Sequence, residues 1–145
     1  MNINIIIDTS GSMAVSWKMS LVRDLCRFAS DIGMLDERFK EANITFMSWN
    51  ENLNKIIPLD EQGRLTIIYA GRNDFNVIEQ YVEDNEDNYI LITDGSCELK
   101  KLERNNIICV LVGDEVDMDR INLKLKTFSA SNIYAAFEYL LLEGV

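Results

Sequence analysis

The segment of the sequence that most suggests chemistry is Asp8-Thr9-Ser10-Gly11-Ser12. It places one carboxylate and two hydroxyls at alternate positions of a turn, directly after an isoleucine-rich run. Mg²⁺ takes about six oxygen ligands and usually keeps several waters, so a few protein oxygens are enough. We expect Gly11 to let the turn fold sharply enough for both serines to face the ion. The segment predicts a divalent-cation site, and ordinary turn and helix-capping roles for Asp8 and Ser12 are the alternative.

Further oxygen-bearing side chains follow other predicted strands. Asp8, Asp94 and Asp114 each stand at the carboxyl end of an apolar run that is typical of a buried strand. Asn73 and Asp74 occupy a glycine-containing loop just before a predicted helix, which either of them is suited to cap. In an open α/β sheet, the ligand crevice lies beyond the carboxyl ends of the strands. We therefore expect these oxygens to converge at one edge of the sheet.

Composition and charge limit the class of protein. With 145 residues and 48% hydrophobic content, the chain fits a single packed domain over residues 1–145. Its net charge of −10 disfavours nucleic acid and anionic membranes as partners. The sequence contains no histidine, which excludes serine–histidine and cysteine–histidine catalysis and imidazole-ligated zinc. We expect a cytoplasmic location, since the first apolar stretch is too short for a signal peptide or a membrane span.

The hydrophobic pattern alternates between strands and helices. Apolar, β-branched runs predict strands at residues 2–7, 44–49, 53–57, 89–93 and 107–112, with shorter segments at 66–69 and 127–129. Helical spacing predicts helices at 15–32, around 77–82, at 99–104, near 118–124 and at 132–142, the last capped by Ser131. The strands at 44–49 and 53–57 are typical of a hairpin. The elements predict a Rossmann-like open α/β sheet, mostly parallel, with one antiparallel edge hairpin and helices on both faces.

Three segments together resemble the von Willebrand factor type A (vWA) domain. They are Asp8-Thr9-Ser10-Gly11-Ser12-Met13, Gly71-Arg72-Asn73-Asp74-Phe75 and Ile92-Thr93-Asp94-Gly95. In that family, three such loops build a metal-ion-dependent adhesion site, or MIDAS. The resemblance implies that Mg²⁺ or Mn²⁺ is bound by Asp8, Ser10, Ser12, Asn73 and Asp94. Asn73 stands where the family often has a threonine, and Asp74 is the alternative ligand from this loop.

The resemblance also implies a function in binding rather than catalysis. The cation would leave one coordination position open, and an Asp or Glu of a partner protein would complete it. Small microbial proteins of the family work beside MoxR-type AAA+ ATPases, or beside a kinase and a phosphatase in multi-protein systems, which suggests such partners for this chain. We therefore expect no enzymatic activity.

Alternatives of other kinds stay open at this point. A Mg²⁺-dependent phosphatase of the haloacid dehalogenase kind also places an aspartate after a strand, but that family has a second aspartate two residues later, where this sequence has Ser10. A phospho-receiver domain has less support, because its paired acidic residues and its later lysine are not matched. A vWA scaffold that binds no metal and uses only its surface is the remaining alternative.

Other conspicuous residues receive simpler interpretations. We expect a solvated surface, rather than a second cation site, for the acidic group Asp114, Glu115, Asp117 and Asp119. Partial burial in the core is expected for Trp17 and Trp49. The three cysteines lack a CxxC spacing and are expected to be free thiols, with Cys97 inert despite its position near the site.

Overall fold

Strands and helices alternate along most of the chain. The computed structural model describes residues 1–113 and 118–145. Its strands are β1 (Asn2–Asp8), β2 (Asn43–Trp49), β3 (Leu53–Ile56), β4 (Asn88–Thr93), β5 (Ile107–Leu111) and β6 (Lys126–Ser129). Its α-helices are α1 (Ser16–Leu35), α2 (Phe75–Asp84), α3 (Met118–Asn122) and α4 (Ile133–Glu143). Short 3₁₀ turns lie at Gly11–Met13, Glu37–Phe39 and Ala130–Asn132.

The strands of the described residues form one sheet in the order β3-β2-β1-β4-β5-β6. Neighbouring strands are parallel except β2 and β3, which form an antiparallel hairpin at one edge. The chain winds outward in one direction from β1 to β3 and in the other from β4 to β6, so the order reverses between β1 and β4. Ligand crevices of open α/β sheets lie at such a reversal. The predicted fold class, including its edge hairpin, is confirmed.

The central strands are buried on both faces because they carry almost only apolar side chains. Successive side chains of a strand point to opposite faces of the sheet. In β1, Ile5 and Ile7 pack on the face covered by α1 and α4, while Ile6 packs on the face covered by α2 and α3. In β4, Ile90 lies on the first of these faces and Leu91 on the second. Helices therefore cover both faces, as expected.

The two tryptophans differ in burial. Trp49, the last residue of β2, is fully buried, and its ring lies edge-on to that of Phe75 with 6.2 Å between the ring centres. Trp17 is 51% exposed. The expectation of core burial is confirmed for Trp49 and is wrong for Trp17, because Trp17 lies in the first turn of α1 and the buried residues of that helix begin at Val22.

Two predicted elements are wrong. Residues 66–69 do not form a strand. The Thr66 N–H donates to the Pro58 carbonyl at 2.8 Å and its hydroxyl to the Ile57 carbonyl at 2.7 Å, so this segment pairs with the chain that follows β3 instead of joining the sheet.

Residues 99–104 do not form a helix. The Leu102 N–H donates to the Lys124 carbonyl at 3.4 Å, which takes this donor away from a helical hydrogen bond.

The start of the last helix also differs from the prediction. Helix α4 begins at Ile133, after a 3₁₀ turn that includes Ser131, and no side chain caps it. The Ser131 hydroxyl instead lies 3.0 Å from that of Ser129. The predicted capping role of Ser131 is therefore wrong.

The acidic group is described only in part. Asp119 is exposed in α3, whereas Asp114, Glu115 and Asp117 lie outside the described residues.

No helix in the described part of the chain combines the length and apolar character needed to cross a membrane.

We expect Ile90→Ala to destabilise the fold strongly. Ile90 is fully buried and pairs with Ile5 across the centre of the sheet. Truncating a buried isoleucine leaves a cavity and costs about 2–5 kcal/mol of unfolding free energy. Ile68→Ala is the matched control, since Ile68 is 85% exposed, and its expected cost is below about 0.5 kcal/mol. Urea unfolding of both variants measures the difference, and equal losses would contradict the described core.

Candidate metal centre

Three loops meet beyond the carboxyl ends of β1 and β4. The first follows β1, the second precedes α2 and the third follows β4. Backbone hydrogen bonds join the first two, since the Ala70 N–H donates to the Thr9 carbonyl at 2.9 Å and the Gly11 N–H to the Gly71 carbonyl at 3.5 Å. Between the loops lies an open cleft of about 360 Å³. Its lining residues are Ser10, Gly11, Ser12, Gly71, Arg72, Asn73, Ser96 and Cys97.

The loops after β1 and β4 begin with the same local structure. In each, an aspartate is followed two residues later by a serine whose N–H and hydroxyl both donate to one carboxylate oxygen. These distances are 2.9 and 2.7 Å for Asp8 and Ser10, and 3.0 and 2.7 Å for Asp94 and Ser96. Aspartate forms such turns locally by bonding to the backbone two residues on. Because β1 and β4 are parallel neighbours, the two turns lie side by side.

The Asp8 carboxylate is fully buried and accepts hydrogen bonds at both oxygens. Besides Ser10, the Asn73 amide donates to Asp8 Oδ1 at 3.0 Å, and the Thr93 hydroxyl donates to Asp8 Oδ2 at 2.6 Å. The strand register places Thr93 next to Asp8, because the residues before them are paired. All of these donors are neutral, and none of the ion pairs in the described residues includes Asp8. Asp8 is thus a buried charge, and its partners among the described residues are all neutral.

Asp94, in contrast, has a positive partner. The Lys18 ammonium lies 2.9 Å from Asp94 Oδ2 and also donates to the Ser12 carbonyl at 3.1 Å. Burial raises the pKa of the Asp94 carboxyl, but hydrogen bonds from Lys18 and Ser96 outweigh burial, so the pKa lies below its ordinary value. Asp94 is therefore ionised at neutral pH and already paired with a cation of the chain.

Serine hydroxyls connect the two aspartate turns. The Ser10 Oγ lies 3.2 Å from the Ser12 Oγ, which lies 2.9 Å from the Ser96 Oγ. In an octahedral Mg²⁺ site with ligands at about 2.0–2.1 Å, neighbouring ligand oxygens are about 2.9 Å apart. The described residues contain no cluster of three or more His, Cys, Asp or Glu side chains suited to a metal. A cation here would therefore be bound partly by neutral hydroxyl oxygens, whose present spacing is also that of ordinary hydrogen bonds.

Asn73 and Asp74 have different contacts in the middle loop. The Asn73 amide nitrogen donates to Asp8 and also to the Trp49 carbonyl at 3.2 Å, so the nitrogen rather than the oxygen faces Asp8. Asp74 caps α2, because its carboxylate accepts from the Asn76 N–H at 2.9 Å. The capping role is therefore confirmed for Asp74. The Trp49 indole donates to the Asp74 carbonyl at 2.9 Å and anchors the loop to the end of β2.

The glycines of the site differ in how strictly the backbone requires them. Gly71 and Gly95 have φ values of 79° and 78°, in the left-handed region that favours glycine. Gly11 has no positive φ, and an added Cβ there would meet no atom within 4 Å. The expectation that Gly11 shapes the first turn is therefore wrong. The hydrogen bonds between Ser10 and Asp8 shape it instead.

The predicted ligands lie together at the same edge of the sheet. These residues are Asp8, Ser10, Ser12, Asn73 and Asp94. Their binding of a metal stays a prediction.

The sequence analysis assigns no role to three further residues of the site, namely Lys18, Ser96 and Thr93, although Thr93 lies in the quoted segment Ile92-Thr93-Asp94-Gly95. Ser96 carries a usable sequence signal, because it follows Asp94 at the same spacing as Ser10 follows Asp8. Lys18 carries none, since it is 76 residues from Asp94 and occupies an ordinary polar position of α1.

The environment of Cys97 disfavours its thiolate form. It is partly buried and forms no disulfide. Burial raises its pKa to about 11, although a hydrogen bond with Thr93 acts in the opposite direction. Thiol chemistry requires the thiolate, which is scarce at neutral pH with such a pKa. The raised pKa agrees with the expected inertness of Cys97, which stays a prediction.

Comparison with known proteins agrees with this architecture. No protein-family model and no curated protein matches the sequence. Among solved structures, the chain is similar to a von Willebrand factor type A protein from Catenulispora acidiphila, with a TM-score of 0.51, 16% identity and coverage of 97% of this chain and 41% of the other. It is also similar to the ArnB paralog VWA2 from Sulfolobus acidocaldarius, with a TM-score of 0.53, 16% identity and coverage of 93% and 43%.

The chain has a vWA fold. At 16% identity the likeness concerns the fold alone, and the chain spans less than half the length of either protein. The resemblance drawn from the three sequence segments is thus confirmed for the vWA fold. The MIDAS-type cation site that the same resemblance implies stays a prediction.

Thr93→Val tests how far Asp8 depends on its neutral donors. Valine fills nearly the same volume as threonine but cannot donate to Asp8 Oδ2. We expect a loss of about 1–3 kcal/mol of unfolding free energy, because a buried charged acceptor loses a partner. In the control, Thr66→Val, the lost hydroxyl donates to the Ile57 carbonyl at an exposed position, and the expected loss is below about 0.5 kcal/mol. Chemical denaturation that gives Thr93→Val no larger a loss than Thr66→Val would contradict this role.

Proposed function

We propose that this vWA fold is a protein-interaction module whose binding depends on a divalent cation, Mg²⁺ or Mn²⁺. The ligands, direct or through water, would be Asp8, Ser10, Ser12, Asn73 and Asp94. The observation that carries the proposal is the buried Asp8 carboxylate, whose described partners are all neutral. A buried charge without a counter-charge is costly. A cation beside Asp8 would offset that cost.

The chemistry of the candidate ligands favours an anionic partner. When bound, the cation supplies a coordination position that accepts a carboxylate. Hydroxyl and amide ligands cancel none of the ion's charge, so the ion keeps its attraction for an anion. Asp94 is held by Lys18, which leaves Asp8 as the one carboxylate beside the serine hydroxyls without a cationic neighbour in the described residues. An Asp or Glu of a partner protein is the group that such a site would select.

The surface of the cleft supports the same choice of partner. Arg72 lines the cleft and is exposed, whereas the chain as a whole carries a net charge of −10. Arg72 thus places one positive charge where a partner carboxylate would bind, and the negative charge of the chain disfavours nucleic acid and membrane. The family resemblance suggests a MoxR-type AAA+ ATPase, or a kinase and phosphatase system, as the source of the acidic segment.

A hydrolytic function has less support from the geometry. In a phosphatase of the kind considered above, Asp8 would attack the phosphate. In this chain Ser10 stands where that family needs a second acid, and its hydroxyl donates to Asp8. We therefore propose a binding module and not an enzyme.

A metal-free vWA scaffold is the second candidate, and one observation favours it. The Lys18 ammonium already neutralises Asp94, so one of the two carboxylates has a cation without any metal. In this case the partner would contact the protein surface alone.

We also propose a cytoplasmic location. All three cysteines are free, and Cys26 and Cys109 are buried in the core. Burial raises the pKa of both of these thiols. Unpaired thiols of this kind are typical of a reducing compartment.

Millimolar Mg²⁺ or Mn²⁺ should stabilise the folded protein, and Asp8→Ala should abolish the effect. A ligand that binds only the native state adds about 2.7 kcal/mol to the unfolding free energy at a hundredfold excess over its Kd. Asp24→Ala is the control, because Asp24 is exposed and pairs with the neighbouring Arg23, and it should keep the wild-type shift. Thermal unfolding with each cation and with EDTA measures the effect.

An unchanged melting temperature in the wild type would contradict metal dependence and favour the metal-free scaffold. A stabilisation that survives in Asp8→Ala would place the cation elsewhere on the protein.

Substitutions in the middle loop separate a ligand from a helix cap. If Asn73 turns its amide oxygen to the ion, Asn73→Ala weakens Mn²⁺ binding and Asn73→Thr retains it through a hydroxyl. Asp74→Ala should leave the Mn²⁺ affinity intact but lower the unfolding free energy by about 1 kcal/mol, because Asp74 caps α2. Calorimetric titration and chemical denaturation measure the two effects. Equal Mn²⁺ affinity in all three variants would show that the loop supplies no ligand, and a loss only in Asp74→Ala would make Asp74 the ligand.

A further inference from the structure

Lys18 occupies an unusual position for a lysine. It lies in the first turn of α1, where its side chain is 17% exposed and that of its partner Asp94 is 3% exposed. In every other ion pair of the described residues, at least one side chain is much more exposed than that of Lys18. The ammonium also contacts the Ser12 carbonyl and lies 5.6 Å from the centre of the Trp17 ring.

Two physical effects oppose this position. The N-terminal end of a helix carries a partial positive charge, which disfavours a cation in its first turn. Burial also removes much of the hydration of the ammonium. The contact with Asp94 has to offset both effects. Lys18 is therefore held here by the carboxylate and not by the helix.

A divalent cation in the site would need the same carboxylate. Asp8 and Asp94 together carry two negative charges, and Lys18 cancels one of them. The ammonium and a divalent cation repel each other at short range, while both are attracted to Asp94. Binding of the metal and pairing with Lys18 are thus opposed.

We propose that Lys18 is an internal counter-ion that competes with the divalent cation for Asp94 and thereby sets the cation affinity of the site. Without a divalent cation, the ammonium neutralises Asp94. When the cation binds, the ammonium leaves Asp94 and moves toward solvent beside the exposed Trp17. The flexible four-carbon stem of lysine permits this movement without a change of the backbone. The inference rests on the proposed function, because it requires the cation to bind between Asp8 and Asp94.

Calorimetric titration of the full chain with Mn²⁺ tests the competition. Lys18→Met keeps an apolar stem but removes the charge, and we expect it to bind Mn²⁺ about tenfold more tightly than the wild type. Lys18→Arg keeps the charge and should bind Mn²⁺ within about threefold of the wild type. Lys101→Met is the control for loss of a surface charge, since Lys101 is 65% exposed, and its affinity should stay within about twofold.

A second measurement separates competition from structural support. Without divalent cation, Lys18→Met leaves Asp94 buried without its cation, so we expect a lower melting temperature than in the wild type. Saturating Mn²⁺ supplies the missing charge, so this variant should gain more from Mn²⁺ than the wild type does. A lysine with only a structural role would lower the melting temperature equally in both conditions, and that result would overturn the inference.

The wild-type protein offers a test that does not depend on a stable Lys18→Met variant. The ¹⁵N ammonium resonance of Lys18, identified by its loss in Lys18→Arg, reports the contact with Asp94. We expect saturating Mg²⁺ to shift it toward the position of an exposed lysine such as Lys101. An unchanged Lys18 resonance at saturating Mg²⁺ would overturn the inference.

The results also distinguish this inference from the proposed function. If the wild type binds Mn²⁺ and Lys18→Met binds it equally or more weakly, the inference that Lys18 competes with the cation is wrong and the proposed function stands. If only Lys18→Met binds Mn²⁺, the competition is supported and the metal dependence proposed for the natural chain is wrong. If neither binds Mn²⁺, both proposals are wrong.

Discussion

A carboxylate buried at the end of the central strand is the constraint on which the site depends. Asp8 is fully buried, and it is fixed there because β1 is paired on both sides, with β2 and β4. Donors from different parts of the chain stabilise its charge, namely Ser10, Asn73 and Thr93. One negative charge therefore helps to hold the loops of the cleft together, and a ligand that enters the cleft lies next to that charge.

The neighbouring turn repeats the local structure with a different charge balance. Asp94 and Ser96 are arranged like Asp8 and Ser10, but Lys18 neutralises Asp94. Among the described residues, the site thus contains one carboxylate with a counter-ion and one without. This asymmetry connects the two proposals. The charge of Asp8 would attract a cation, whereas the pairing of Asp94 with Lys18 would limit the affinity for that cation.

The sequence is most informative where structure is local or follows a simple topological rule. Continuous apolar runs are sufficient to predict β1, β4 and β5, because strands covered on both faces need no polar alternation. The rule that ligands lie beyond the carboxyl ends of strands is sufficient to bring Asp8, Asn73 and Asp94 together. The pairing of Lys18 with Asp94 lies beyond such rules, because the two residues are 76 positions apart and meet only when α1 packs on the sheet. The incorrect prediction of a strand at residues 66–69 has the same cause, because this segment pairs with the chain after β3, and the sequence pattern does not show such a contact.

Anomalous scattering from a crystal of the full chain grown with Mn²⁺ is the most direct test of a cation at this buried charge. The account predicts an anomalous peak among the oxygens of Asp8, Ser10 and Ser12, with the Lys18 ammonium displaced from Asp94. A crystal at saturating Mn²⁺ that shows no peak in the cleft, with Lys18 still in contact with Asp94, would contradict it.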